Sequence, residues 1–179
     1  MKVWDRFVRL AHWSLAACVL AAWITAELKL KSTEQLHEWL GYAALGVIAL
    51  RLAWGWIGPR YARFSHFVAG PRRTLAYAKA VLRAEEPRYL GHNPLGAWMI
   101  VALLATAALA SLTGWLSVTD RFWGVEWVQE AHELLGDALI ALAALHVAGV
   151  VYTSRRQREN LPAAMLSGVK RPPEPGDVA

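Results

Sequence analysis

The chain has 179 residues, 56% of them hydrophobic, with a formal net charge of +5 and a mean hydropathy of +0.26. That balance fits one compact membrane domain better than one soluble core. A single cysteine, Cys18, excludes a disulfide framework, a paired-thiol redox motif and covalent haem attachment through a CxxCH site.

Taken in order, the N-terminal stretch resembles a signal peptide only in its opening charge. Its apolar run carries His12 and leads into charged Glu27-Leu28-Lys29-Leu30-Lys31, so the segment is expected to be retained. Residues 10–26 carry no charge and make a first span near the lower length limit. Residues 39–57 make a second, interrupted by Arg51 and ended by Gly58-Pro59. Between 60 and 92, Phe64, Phe67, Leu75, Tyr77, Ala78, Val81 and Leu82 predict a basic amphipathic helix on the membrane surface, opened by Pro71 and closed by Pro87. Asn93-Pro94 has cap chemistry and starts a third span over 95–118. The fourth covers 130–152. No internal repeat or low-complexity tract stands out, and a Pro-rich C-terminal tail over 161–179 is expected to be flexible. The expected fold is therefore an all-α integral membrane protein. A four-transmembrane-helix domain covers 1–160, with a cytoplasmic amphipathic helix between spans 2 and 3.

Basic residues set the orientation, because cytoplasmic loops retain Lys and Arg. One side carries Lys2, Arg6 and Arg9, then seven more between Arg60 and Arg88 and five between Arg155 and Arg171. The other carries Lys29, Lys31 and Arg121. Both termini are thus expected in the cytoplasm, and the positive charge needs no nucleic-acid partner. Ten tryptophans, mostly near span ends, suit interfacial belts or aromatic packing.

His132 and His146 lie fourteen residues apart in the fourth span. On a helix that returns to within roughly 40° of the same face after a climb of roughly 21 Å. Alternating span direction puts His12 and His146 near the cytoplasmic side and His37 and His132 near the other. Ionisable groups inside a bilayer are costly and tend to mark function. Two depth-matched pairs supply too few ligands for structural or catalytic zinc, whereas a haem asks the protein for two axial ligands. Filled axial positions leave no open site for oxygen and favour electron transfer. Arg51 follows His37 by fourteen residues, so it is placed either to meet a haem propionate or to snorkel to the interface. Arg9, three residues before His12, is a second propionate candidate. Asp137 points away from His146 and reads as a lipid-edge or helix-contact carboxylate.

Several motifs resemble the prokaryotic cytochrome b561 family and the related cytochrome b subunits of nickel-iron hydrogenases. They are Trp4-Asp5, Arg9-Leu10-Ala11-His12-Trp13, His37-Glu38 with Gly41, Arg51 with Trp54-Gly55, Gly91-His92-Asn93-Pro94-Leu95-Gly96, and the pair His132 and His146. The resemblance implies two b-type haems in a bacterial inner-membrane protein, His37 with His132 holding the periplasmic-side haem and His12 with His146 the cytoplasmic-side one. It implies ubiquinone or menaquinone as substrate and a periplasmic partner such as a c-type cytochrome. Some members look like superoxide oxidases that feed electrons to ubiquinone. Hydrogenase cytochromes often have a further span, and the four spans expected here weigh against that particular assignment. His92 is read either as a quinone-site residue that titrates near neutral pH or as a loop residue supporting the Asn93 cap. His66 reads as a surface histidine. A non-redox membrane protein that binds or conducts a metal ion is the alternative class. The helical climb between the paired histidines argues against one shared ion. Membrane lipid is an implied partner, an oligomer is open, and nothing in the motifs decides between a carrier and a quinone-linked enzyme.

Overall fold

The computed structural model describes residues 1–28 and 30–178; Lys29, counted above for orientation, lies outside them. Among the described residues there are seven α-helices and one 3-10 turn, Arg60–Ala62, with no strand. The helices are α1 (Arg6–Leu28), α2 (Lys31–Ile57), α3 (Phe64–Phe67), α4 (Pro71–Leu82), α5 (Pro94–Ser117), α6 (Glu126–Arg156) and α7 (Leu161–Ser167). Of these, α1, α2, α5 and α6 are long and apolar enough to cross a membrane. Large apolar side chains such as Leu20, Leu50, Leu109 and Leu145 stay exposed along them. This surface suits hydrocarbon rather than water.

Local chemistry explains the helix ends. Asp5 Oδ1 accepts the Val8 amide at 3.0 Å and opens α1. Asn93 Oδ1 accepts the Gly96 amide at 2.8 Å, with Pro94 at the first helical position of α5. Two spans run longer than their apolar runs suggest, because the polar turns at 31–38 and 126–129 are helical as well. α4 begins at Pro71 but ends at Leu82, ahead of Pro87, with Ala84 at a left-handed φ of 57° just beyond.

The chain divides into two compact units. One comprises Met1–Arg9, Ala53–Val101 and the chain from Leu145 onward; the other comprises Leu10–Leu52 and Ala102–Ala144. In the second unit Ala44, Ile48 and Arg51 are buried at helical spacing on α2, in register with His37. Leu104, Ala107 and Ala110 on α5 and Val128 and Leu139 on α6 are buried there too. Small residues at such positions let helices approach closely.

The first unit differs from the expected flexible tail over 161–179. Asn160 caps α7 by accepting the Ala163 amide at 2.9 Å, and Gly168 ends it at φ +83°. Beyond it the N-terminal ammonium of Met1 donates to Lys170 O at 2.6 Å, and Val178 N donates to Arg88 O at 2.8 Å. The Lys170 side chain is buried, 4.0 Å from Glu159, which also takes two-pronged donation from Arg88. Composition reads this segment as a solvated tail, but Lys170 is buried beside Glu159 and Asp177 pairs with Arg88, 89 residues earlier.

Candidate functional site

In the second unit, His37 in α2 and His132 in α6 bring their rings to 5.9 Å between centres, with planes at 89°. His37 Nδ1 lies 2.9 Å from Ala22 O of α1, and His132 Nδ1 lies 2.9 Å from Ala110 O of α5. A carbonyl can only accept, so each Nδ1 carries the proton and each Nε2 keeps a lone pair. Metal-ligating histidines are typically oriented in this way, through the far ring nitrogen and a backbone carbonyl. Metal–imidazole bonds of about 2 Å place two rings on one ion with centres roughly 6 Å apart, so the observed spacing fits a shared iron. Among the described residues, no three His, Cys, Asp or Glu gather as a metal site. The pair therefore matches a group that brings its other ligands with it.

Glycines clear the surroundings. A Cβ at Gly114 would sit 2.8 Å from His132 Cε1, so only glycine leaves room for that ring. Gly41 and Gly136 each lie four residues after a histidine, on the same helix face, and an added Cβ would meet nothing within 4 Å. A flat macrocycle could approach the backbone at both.

The remaining candidates are distributed between the units. In the second, His12 is half-buried and edge-on to Trp13 at 4.9 Å, and Arg51 is 7% exposed. In the first, His146 is half-buried on α6, and an Arg9 guanidinium nitrogen donates to Leu166 O of α7. His92 sits between Trp4 at 4.5 Å and Phe67 at 4.7 Å. It lines a cavity of about 280 Å³ together with Ser65, His66, Arg73 and Tyr89. His66 is thus a cavity residue rather than a plain surface one, and burial, then the nearby Arg60 charge, pushes its pKa down.

Thr25, Thr113 and Gly114 were not among the residues the sequence singled out. A signal for them is nevertheless present. Ala22-Trp23-Ile24-Thr25 precedes His37-Glu38-Trp39-Leu40-Gly41, and Ala110-Ser111-Leu112-Thr113 precedes His132-Glu133-Leu134-Leu135-Gly136. The pattern Ala-x-x-Thr followed by His-Glu-x-Leu-Gly occurs twice, which corrects the reading that the chain holds no repeat.

Four apolar spans and a histidine pair with its distal nitrogens free for metal define a membrane protein of the haem-binding kind. The chain belongs to the prokaryotic cytochrome b561 family, whose profile matches residues 3–168. Proteins of this family bind haem b and transfer electrons in membranes. No curated protein and no solved structure matches the chain.

Proposed function

We propose that this chain carries electrons across a bacterial inner membrane through two b haems, linking the quinone pool to a periplasmic partner such as a c-type cytochrome. The observation that carries the reading is the His37–His132 pair, with both Nδ1 atoms committed to carbonyls at 2.9 Å. Bound there, haem supplies a one-electron couple. His37 and His132 would hold it with two neutral imidazoles, and the apolar spans would keep water away from it. The second haem rests on the sequence resemblance, which assigns it to His12 and His146, with Arg51 and Arg9 as propionate candidates.

The excess of Lys and Arg at the termini and over 60–88 supports cytoplasmic placement of both ends and of α4. With Leu75 and Leu82 exposed beside its basic residues, α4 suits the membrane surface. The cavity beside His92 supports a quinone headgroup site there, with the imidazole moving a proton.

A reduced-minus-oxidised visible spectrum of the purified protein tests the reading. Two b haems per chain are expected, and a colourless protein overturns it. Quinol, superoxide and a small cytochrome c, offered in turn, identify the electron donor. His92→Gln should keep both haems while quinone turnover falls; unchanged turnover removes His92 from the quinone site.

A further inference from the structure

The two histidines are held by one device built twice. Thr25 Oγ1 donates to Ala21 O at 3.0 Å and Ala22 O at 2.8 Å, and Thr113 Oγ1 donates to Leu109 O at 2.9 Å and Ala110 O at 3.0 Å. Each hydroxyl proton is thereby turned back onto its own helix, as is usual for threonine inside an apolar span. The oxygen's lone pairs remain, and they face the neighbouring histidine. Thr25 Oγ1 lies 3.4 Å from His37 Nδ1, and Thr113 Oγ1 lies 3.4 Å from His132 Nδ1.

Each Nδ1–H therefore meets two acceptors three residues apart on the adjoining helix, a strong one from a carbonyl and a longer one from a hydroxyl. A single acceptor fixes where the nitrogen points but leaves the ring free to turn about that line. Two acceptors fix the plane. Thr25 is 8% exposed, so its hydroxyl is not exchanging with a free solvent shell. The outcome is a pair of rings crossed at 89°. The imidazole contacts at 2.9 and 3.4 Å are the same at both sites, which carry the same Ala-x-x-Thr and His-Glu-x-Leu-Gly pattern, so sequence and geometry repeat together.

We propose that Thr25 and Thr113 are positioning residues that set the crossed orientation of the His37 and His132 rings, and through it the electronic character of the iron they would share. The inference rests on the reading that these histidines are axial ligands. Crossed axial planes leave the two iron π-orbitals nearly equal in energy, whereas parallel planes split them. A low-spin ferric haem reports the difference in its electron paramagnetic resonance spectrum, as a strongly anisotropic signal in the crossed case and a rhombic one otherwise.

The experiment compares purified wild type with Thr25→Val and Thr113→Val, which keep the branched shape and remove the hydroxyl, and with Thr25→Ser and Thr113→Ser, which restore it. Haem content is read by absorbance and ring orientation by paramagnetic resonance. The expected result is two haems per chain in every variant. In each valine variant the largest g value falls for one haem, the one whose signal is missing from His132→Ala, and in the serine variants it stays as in wild type. Valine variants with full haem and an unchanged spectrum overturn the proposal. If a valine variant loses haem, Thr25→Ala and Thr113→Ala, which add no bulk, are read by the same criterion. A His132→Ala protein that keeps both signals unaltered overturns the ligand reading itself, before any threonine is changed.

Discussion

The two units orient their polar groups by different means. Around His37 and His132, imidazoles are held by backbone carbonyls and threonine hydroxyls, all neutral and all borrowed from neighbouring helices. Around Arg88 the work is done by full charges. Glu159 takes donation from Arg88 at 3.1 Å and from the Arg171 amide at 2.8 Å, Asp177 pairs with the same guanidinium, and Lys170 closes the cluster. The contrast follows from surroundings. Inside an apolar span an uncompensated charge is expensive, whereas a carbonyl already engaged in its helix has a second lone pair to offer. Outside the span, charges can be partnered by segments far apart in sequence. They tie the 84–92 loop, the end of α6 and the C-terminal segment together.

Substitutions can break this contrast at several depths. The largest effect is expected from His132→Ala, which should remove the haem proposed for His37 and His132, seen as a lower pigment-to-protein ratio; an unchanged ratio would end the ligand assignment. Next comes Glu159→Ala. It leaves the buried Arg88 guanidinium with Asp177 as its one carboxylate and takes the nearest carboxylate from the buried Lys170 ammonium, and loss of one partner from a buried pair costs up to about 3–5 kcal/mol. Thermal unfolding in detergent should show the loss without any change in the haem spectrum.

Acid should act on the same cluster. Burial raises the Glu159 pKa, but the Arg88 hydrogen bond, the Arg171 amide and the Lys170 and Arg88 charges together hold it below its ordinary 4.5. A depressed folded pKa means that the unfolded chain takes up the proton first as pH falls. The contribution of Glu159 is therefore complete above its ordinary pKa and is lost as pH drops through the depressed folded value. Unfolding temperatures measured from neutral pH downward should decline through that window, and Glu159→Gln should flatten the decline. The smallest effect is expected at the α5 cap, where Asn93→Ala removes the bond to Gly96 and costs about 1 kcal/mol. A similar loss from Asn93→Asp, which keeps the acceptor, would show that the cap is not what Asn93 supplies.

Much of the site was legible because its signals are local. The apolar runs, the Asn93-Pro94 start and the Gly58-Pro59 stop each lie in consecutive residues whose chemistry does not wait on the fold, and His37 and His132, whose rings the structure brings together, stand out as histidines at the ends of spans. Thr25 and Thr113 were harder to see. A threonine in an apolar run is ordinary, and only its distance to a histidine twelve or nineteen residues away gives it a role. The C-terminal segment misled for the opposite reason. Its prolines and charges read as solvated, and nothing nearby in sequence reveals that Glu159 and Arg88 receive them.

By itself, then, the sequence determined that this is a four-span helical membrane protein of the cytochrome b561 family, because hydropathy, caps and histidine spacing act over a few turns of chain. Only the tertiary structure decided which carbonyls accept the histidine Nδ1–H bonds, that the two rings stand crossed, and that Lys170 is buried rather than free. Those outcomes depend on which helices become neighbours, and no stretch of local pattern contains that information.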